Sequence, residues 1–129
     1  MNTIDQLIPT IKAFRPFLPA KDYETSLKFY KAIGFESYPL GETMAELSFG
    51  PHAFLLQGYY VKEWAENMMM HVLVDDLLPW WKYIDSLDLE KFGVRRPSPP
   101  KAEPWGLTIV YVFDPSGVLW HFAQPTAQG

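Results

Sequence analysis

Few side chains in this 129-residue sequence belong to the types that do chemistry, and their scarcity narrows the possibilities. Cysteine is absent, which removes thiolate nucleophiles, thiolate metal sites and disulfides. His71 and His121 fall in apolar, strand-like runs, 69–74 and 118–122, where an imidazole can exchange hydrogen bonds or ligate a cation. Arg15 lies within another such run, 11–18. Its guanidinium can grip a carboxylate or phosphate bidentately, or pair with an internal carboxylate such as Glu46. The adjacent Asp75 and Asp76 are the strongest acidic couple, but their place before a helical pattern suits capping far better than catalysis. No glycine-rich phosphate loop, no serine in a nucleophile elbow and no carboxylate pair at helical spacing accompanies them. The remaining chemistry is aromatic and apolar. Trp105 follows a loop stiffened by Pro97, Pro99, Pro100 and Pro104, so a flat face is delivered at a defined place.

The elements that must hold these groups come twice. An apolar run reaching Phe17-Leu18-Pro19 leads to Asp22 and then to Tyr23, Leu27, Tyr30 and Ile33 at helical spacing. The run from Met69 to Val74 leads to Asp76 and then to Leu77, Trp81 and Ile84, so the counterpart aspartates lie 54 residues apart. A module recurring at this period governs the fold. The expected order is strand, helix and three strands, repeated over about 11–58 and 68–124, within one domain spanning 1–129. In the first module the strands fall at 11–18, 35–39, 43–49 and 53–57, and Asp22 and Gly34 cap the helix. In the second they fall at 69–74, 89–94, 107–113 and 118–122, the last two turning at Asp114-Pro115-Ser116-Gly117 as a type I turn prefers. Period two puts Leu119 and His121 on one strand face, and Met69 and His71 on another, with Trp120 and Phe122 turned into the packing. The 58–67 segment is read as a connector. Its Tyr59, Tyr60 and Trp64 suit a rim or an interface rather than a core.

Composition sets the class. The formal charge of −4 with scattered basic residues argues against nucleic acid, and no apolar run is long enough to span a membrane. Without a basic, apolar leader at Met1-Asn2-Thr3, a cytoplasmic location is expected. An acidic protein is suited to a cationic small molecule.

Leu18-Pro19-x-x-Asp22, Phe29-Tyr30 and Gly34-Phe35, followed by Trp105-Gly106, Asp114-Pro115-Ser116-Gly117 and Gln124, resemble the glyoxalase/bleomycin-resistance/dioxygenase superfamily, the vicinal oxygen chelate proteins. The likeness runs from about Ile11 to Gln124 and is greatest to the bleomycin-resistance branch. It implies an α+β fold of two βαβββ modules whose curled mixed sheets surround a cavity, usually completed by a second subunit. It also implies where a metal would sit in the metal-dependent members, and those places fall on Arg15, Leu56, Met69 and His121. Leucine and methionine side chains offer no hard donor and a guanidinium repels a cation, so no metal and no cofactor is expected even with His71 nearby. As a cavity wall the set reads better. Arg15 and His121 supply polar contacts, while Phe17, Leu56, Met69 and Leu119 supply apolar ones. Tyr59, Trp64, His71 and Trp105 complete the candidate binding residues. The expectation is a metal-free, homodimeric protein that sequesters an antibiotic-type, bleomycin-like small molecule. The rival expectation is a metal-dependent lyase, isomerase or dioxygenase.

Overall fold

The computed structural model describes residues 3–127. Local sequence rules account for most of its elements. Helix α2 (Tyr23–Ile33) starts where the Asp22 carboxylate accepts from the Thr25 N–H at 3.1 Å, and buries Ser26, Phe29, Tyr30 and Ile33 on one stripe. It stops at Gly34, whose φ of 123° is costly for any residue with a Cβ. A Cβ there would also approach the Tyr83 hydroxyl to 3.2 Å, and that hydroxyl donates to the Ile33 carbonyl. The close approach of the second helix to the first therefore requires glycine. Helix α4 (Leu77–Ser86) has two N-terminal partners: Asp76 accepts from the Leu78 N–H, and the Gln124 amide oxygen accepts from the Leu77 N–H at 2.5 Å.

Each module builds a four-stranded mixed sheet with its first strand parallel to its last. In the first, β1 (Phe17–Pro19), β2 (Glu36–Gly41), β3 (Met44–Phe49) and β4 (His52–Gln57) run in the order β1-β4-β3-β2. In the second, β5 (Met69–Leu73), β6 (Lys101–Ala102), β7 (Leu107–Phe113) and β8 (Leu119–Pro125) run in the order β5-β8-β7-β6. The architecture is α+β, and the sequence repeat is a structural one. One face of each sheet enters a common core, where Leu18, Leu47, Phe54 and Leu56 of the first meet Val110, Val112, Trp120 and Phe122 of the second. Among the described residues no helix is long and apolar enough to cross a membrane.

Four expectations change. The strand expected over 11–18 is confined to Phe17–Pro19; before it come a short helix α1 (Ile4–Leu7), a 3₁₀ turn (Ile8–Thr10) and a stretch outside any strand, whose Pro16 carbonyl accepts from the Leu55 N–H at 2.9 Å. The strand expected over 89–94 is a 3₁₀ turn, Leu89–Phe92, flanked by the left-handed residues Asp88 and Gly93, which bring Leu89 into the core. Within the 58–67 connector lies a helix, α3 (Lys62–Asn67), that buries Ala65. Finally, the proline-rich loop supplies the two-residue strand β6 at the sheet edge, where missing N–H groups cost least.

A buried polar chain ties the modules together. The Asp114 side chain accepts from the Ser116 and Val118 N–H groups at 2.8 and 2.9 Å and so shapes its own hairpin turn. Its other oxygen accepts from the Tyr30 hydroxyl at 2.5 Å, and that hydroxyl accepts from the Trp120 indole N–H at 3.0 Å. Ser116 accepts from the Lys21 N–H at 2.9 Å. The turn of the second module is thereby bonded to the helix of the first.

Candidate functional site

The faces turned away from the core are where a ligand can be met. On the second sheet, register places side chains in cross-strand rows: Met69, Leu119 and Phe113 form one, and His71, His121 and Tyr111 form the next. The His121 ring centroid lies 5.7 Å from that of His71 and 5.0 Å from that of Tyr111, edge to face in both cases. Burial, followed by the charge of neighbouring His71, holds His121 below the usual histidine range, so at neutral pH it is an uncharged donor and acceptor. Partial burial and the Glu103 carboxylate push the Tyr111 phenol up. The Tyr111 hydroxyl donates to Glu103 at 2.9 Å, and Lys101 stands 3.6 Å from the same carboxylate. The Arg95 guanidinium lies 4.3 Å from the Phe113 ring centroid, closing one end of the face with a cation.

The corresponding face of the first sheet carries the row Phe17, Leu55, Glu46 and Tyr38. Here Arg15 pairs with Glu46 at 3.1 Å, half-exposed, so its guanidinium is already engaged by a carboxylate. Leu56 is fully buried and points into the core. The outward neighbour is Leu55, and the expectation that Leu56 walls a cavity is corrected: a shift of one residue along a strand exchanges the two faces.

Beside the open face of the second sheet is a pocket of about 410 Å³ between β5 and the β3–β4 hairpin. Phe35, Phe49, Phe54, Trp80, Trp120 and Met70 give it an aromatic lining, with His52 also on its wall. Phe35 and Phe49 stack at 3.7 Å, and Trp80 meets the edge of Phe49 at 5.9 Å. His71 and Leu73 line the pocket as well as standing on the open face, which makes the two regions contiguous at β5. The volume suits a small organic molecule, and its surface suits a flat or apolar one.

Of the expected site residues, Met69, His71, Leu119 and His121 come together on one face. Arg15 and Phe17 lie on the other sheet. Tyr59 and Trp64 meet each other at 6.5 Å near the start of α3, apart from the pocket lining. Trp105 is exposed in the turn leading to β7, two residues beyond Glu103. The expectations missed Tyr111, Phe113, Glu103, Arg95 and the aromatic pocket. Tyr111 was within reach of the sequence, since a hairpin turning at 114–117 sets it opposite His121.

The donor set does not fit a divalent metal. Among the described residues no three His, Asp or Glu side chains are grouped so that they could hold one. The two imidazoles of the face are joined by a phenol, a thioether and aliphatic groups, whereas such a metal needs three or four N or O donors converging on one point.

No protein-family model matches the sequence, and neither does any curated protein. Solved structures do match the fold. A bleomycin-binding protein complexed with bleomycin aligns over 90% of this chain and 100% of its own, with a TM-score of 0.72 and 21% identity. A bleomycin resistance determinant encoded on the transposon Tn5 aligns over 91% and 100%, also at 0.72 and 21%. Lactoylglutathione lyase from Agrobacterium tumefaciens aligns over 88% and 94%, at 0.59 and 17%. The architecture is thus that of bleomycin-resistance and glyoxalase-type proteins.

Proposed function

We propose that this chain is a metal-free small-molecule-binding protein that acts by sequestration, working as a cytoplasmic homodimer. The observation that carries the reading is the junction at β5, where an aromatic pocket of about 410 Å³ adjoins the His71, His121 and Tyr111 row. A planar apolar part of a ligand enters the pocket and leaves water there, while the row and its flanking Glu103 and Arg95 orient the polar part. Sequestration of this kind requires no bond making. The solved bleomycin-binding protein of the same fold, complexed with bleomycin, makes a bleomycin-type glycopeptide the first ligand class to test.

The second reading is a metal-dependent lyase, isomerase or dioxygenase, favoured by the paired imidazoles His71 and His121 and by the shared fold of lactoylglutathione lyase. Elemental analysis separates the two. After equilibration with nickel, zinc, iron and manganese and then dialysis, the protein should retain far less than one metal per chain. Stoichiometric metal that disappears in His121→Ala would establish the enzyme reading instead.

A further inference from the structure

The pocket beside β5 is apolar in its side chains but polar in its backbone. In the parallel ladder of β5 with β8, residues bond alternately to the partner strand. The Val74 N–H donates to Ala123 at 2.8 Å and the Met68 carbonyl accepts from Leu119 at 3.1 Å, so the even-numbered residues face β8. The N–H and C=O groups of Met69, His71 and Leu73 project from the other edge, which no strand covers, and no hydrogen bond among the described residues reaches them. Residues from both faces of β5 line the pocket, Met70, Val72 and Val74 from the half-buried face and His71 and Leu73 from the exposed one. Only the edge of a strand presents both, and the free edge is thus a wall of the pocket.

The facing wall has the same character. The Leu55 N–H donates to the Pro16 carbonyl, so the odd-numbered residues of β4 turn toward β1, and two residues earlier the Ala53 carbonyl meets Pro16, which has no N–H to give. Ala53 lines the pocket. No Asp, Glu, Lys or Arg does, while Phe49 and Trp80, both only partly buried, offer ring surface to an occupant. We infer that the group seated here is a neutral, planar heteroaromatic lactam, packed against Phe49 and Trp80, whose adjacent C=O and N–H pair with the backbone N–H and C=O of His71. The inference rests on the sequestration reading above and names the chemistry of the part of the ligand that enters the pocket.

Backbone, shape and charge select this class together. A pure hydrocarbon would expel water from the free N–H and C=O groups and leave them without partners, whereas a ring bearing its own donor and acceptor replaces the lost bonds. The N–H and C=O of one extended residue point the same way, and the cis-amide of a lactam ring presents its C=O and N–H side by side to match both. An ordinary trans peptide unit directs the two oppositely and can satisfy only one. Length argues against an added strand as well: of the edge residues, His71 and Leu73 line the pocket and Met69 does not, so a compact group fits where a peptide running along 69–73 would not. Walls without a charged side chain favour a neutral occupant, since an ion would give up its hydration for no partner. The volume of about 410 Å³ accommodates a bicyclic ring. Because the His71 imidazole stands on the open face while its main chain meets the pocket, a substituent leaving the ring at this point continues onto the row of His121 and Tyr111.

A matched pair of probes tests the pairing on the unaltered full-length protein. Carbostyril, the bicyclic lactam of quinoline, and N-methylcarbostyril share their rings and carbonyl and differ in the N–H. Calorimetric titration should show carbostyril binding once per chain and the N-methyl compound binding roughly ten- to hundredfold more weakly, because the methyl group leaves the His71 carbonyl unpaired. In nitrogen-labelled protein the backbone amide resonance of His71 should move on adding carbostyril, with that of Leu73 beside it. Equal affinity for the two compounds, or shifts confined to residues away from β5, would overturn the inference. Failure of carbostyril to bind would overturn it too, and slow deuterium exchange of the His71 amide in the free protein would then identify a second copy covering the edge. Saturable binding of bleomycin without any binding of carbostyril strikes this assignment and leaves the sequestration reading standing; absence of binding by both strikes both.

Discussion

Replacing Trp120 by alanine is expected to cost roughly 3–5 kcal/mol of folding stability, read by urea denaturation. The indole lies between the modules. Its ring is 5.4 Å from Phe54, 5.6 Å from Phe35 and 5.7 Å from Tyr30, and it stacks on Phe122 at 6.3 Å. Removal opens a void that rings drawn from both sheets and from α2 cannot all close, and leaves the Tyr30 hydroxyl without its donor. A cost below about 1 kcal/mol would mean that the two modules do not share a core at this point.

Asp114→Ala is expected to be comparably damaging, since the Tyr30 hydroxyl and the Ser116 and Val118 N–H groups lose their acceptor in a buried place, at roughly 1–3 kcal/mol for each group left unpaired. Asp114→Asn adds a sign to the test. Burial raises the Asp114 carboxyl above its ordinary 3.8, while the Tyr30 hydroxyl and the N–H groups of Val118, Ser116 and Gly117 partly hold it down. A raised folded-state value contributes stability that is complete below 3.8 and is lost as the pH rises through that raised value. The stability of the parent protein relative to Asp114→Asn should therefore decline with rising pH across that window. An advantage that grows with pH instead would show the hydrogen bonds outweighing burial.

Both side chains are legible in the sequence, Asp114 as a turn motif and Trp120 as packing. The repeat of Asp22 and Asp76 announced two modules because each aspartate does the same local work, accepting N–H groups at the start of a helix. Gly34 and the 114–117 turn were legible for the same reason: their chemistry is local. The segment before β1 was not. Ile11 and its apolar neighbours read as a strand because apolar character reports a need for burial and does not name the partner. Leu56 was misplaced because counting along a strand tolerates no slip. Leu89 was reached through left-handed Asp88 and Gly93, a backbone route that strand-like composition conceals. The aromatic pocket could not be read at all, since it exists only where 49–54 and 70–74, distant in sequence, face one another.

Calorimetric titration of metal-free bleomycin into the purified protein tests the central claim, that a small molecule is held at β5 without turnover. One saturable site per chain at micromolar affinity or tighter is expected, with the ligand recovered unaltered by mass spectrometry. Trp105→Ala, which removes an exposed indole from the turn leading to β7, should leave stability nearly intact. Saturable binding lost in His121→Ala would fix the site on the face that residue shares with His71 and Tyr111. Absence of saturable heat, or recovery of chemically altered bleomycin, would contradict the account.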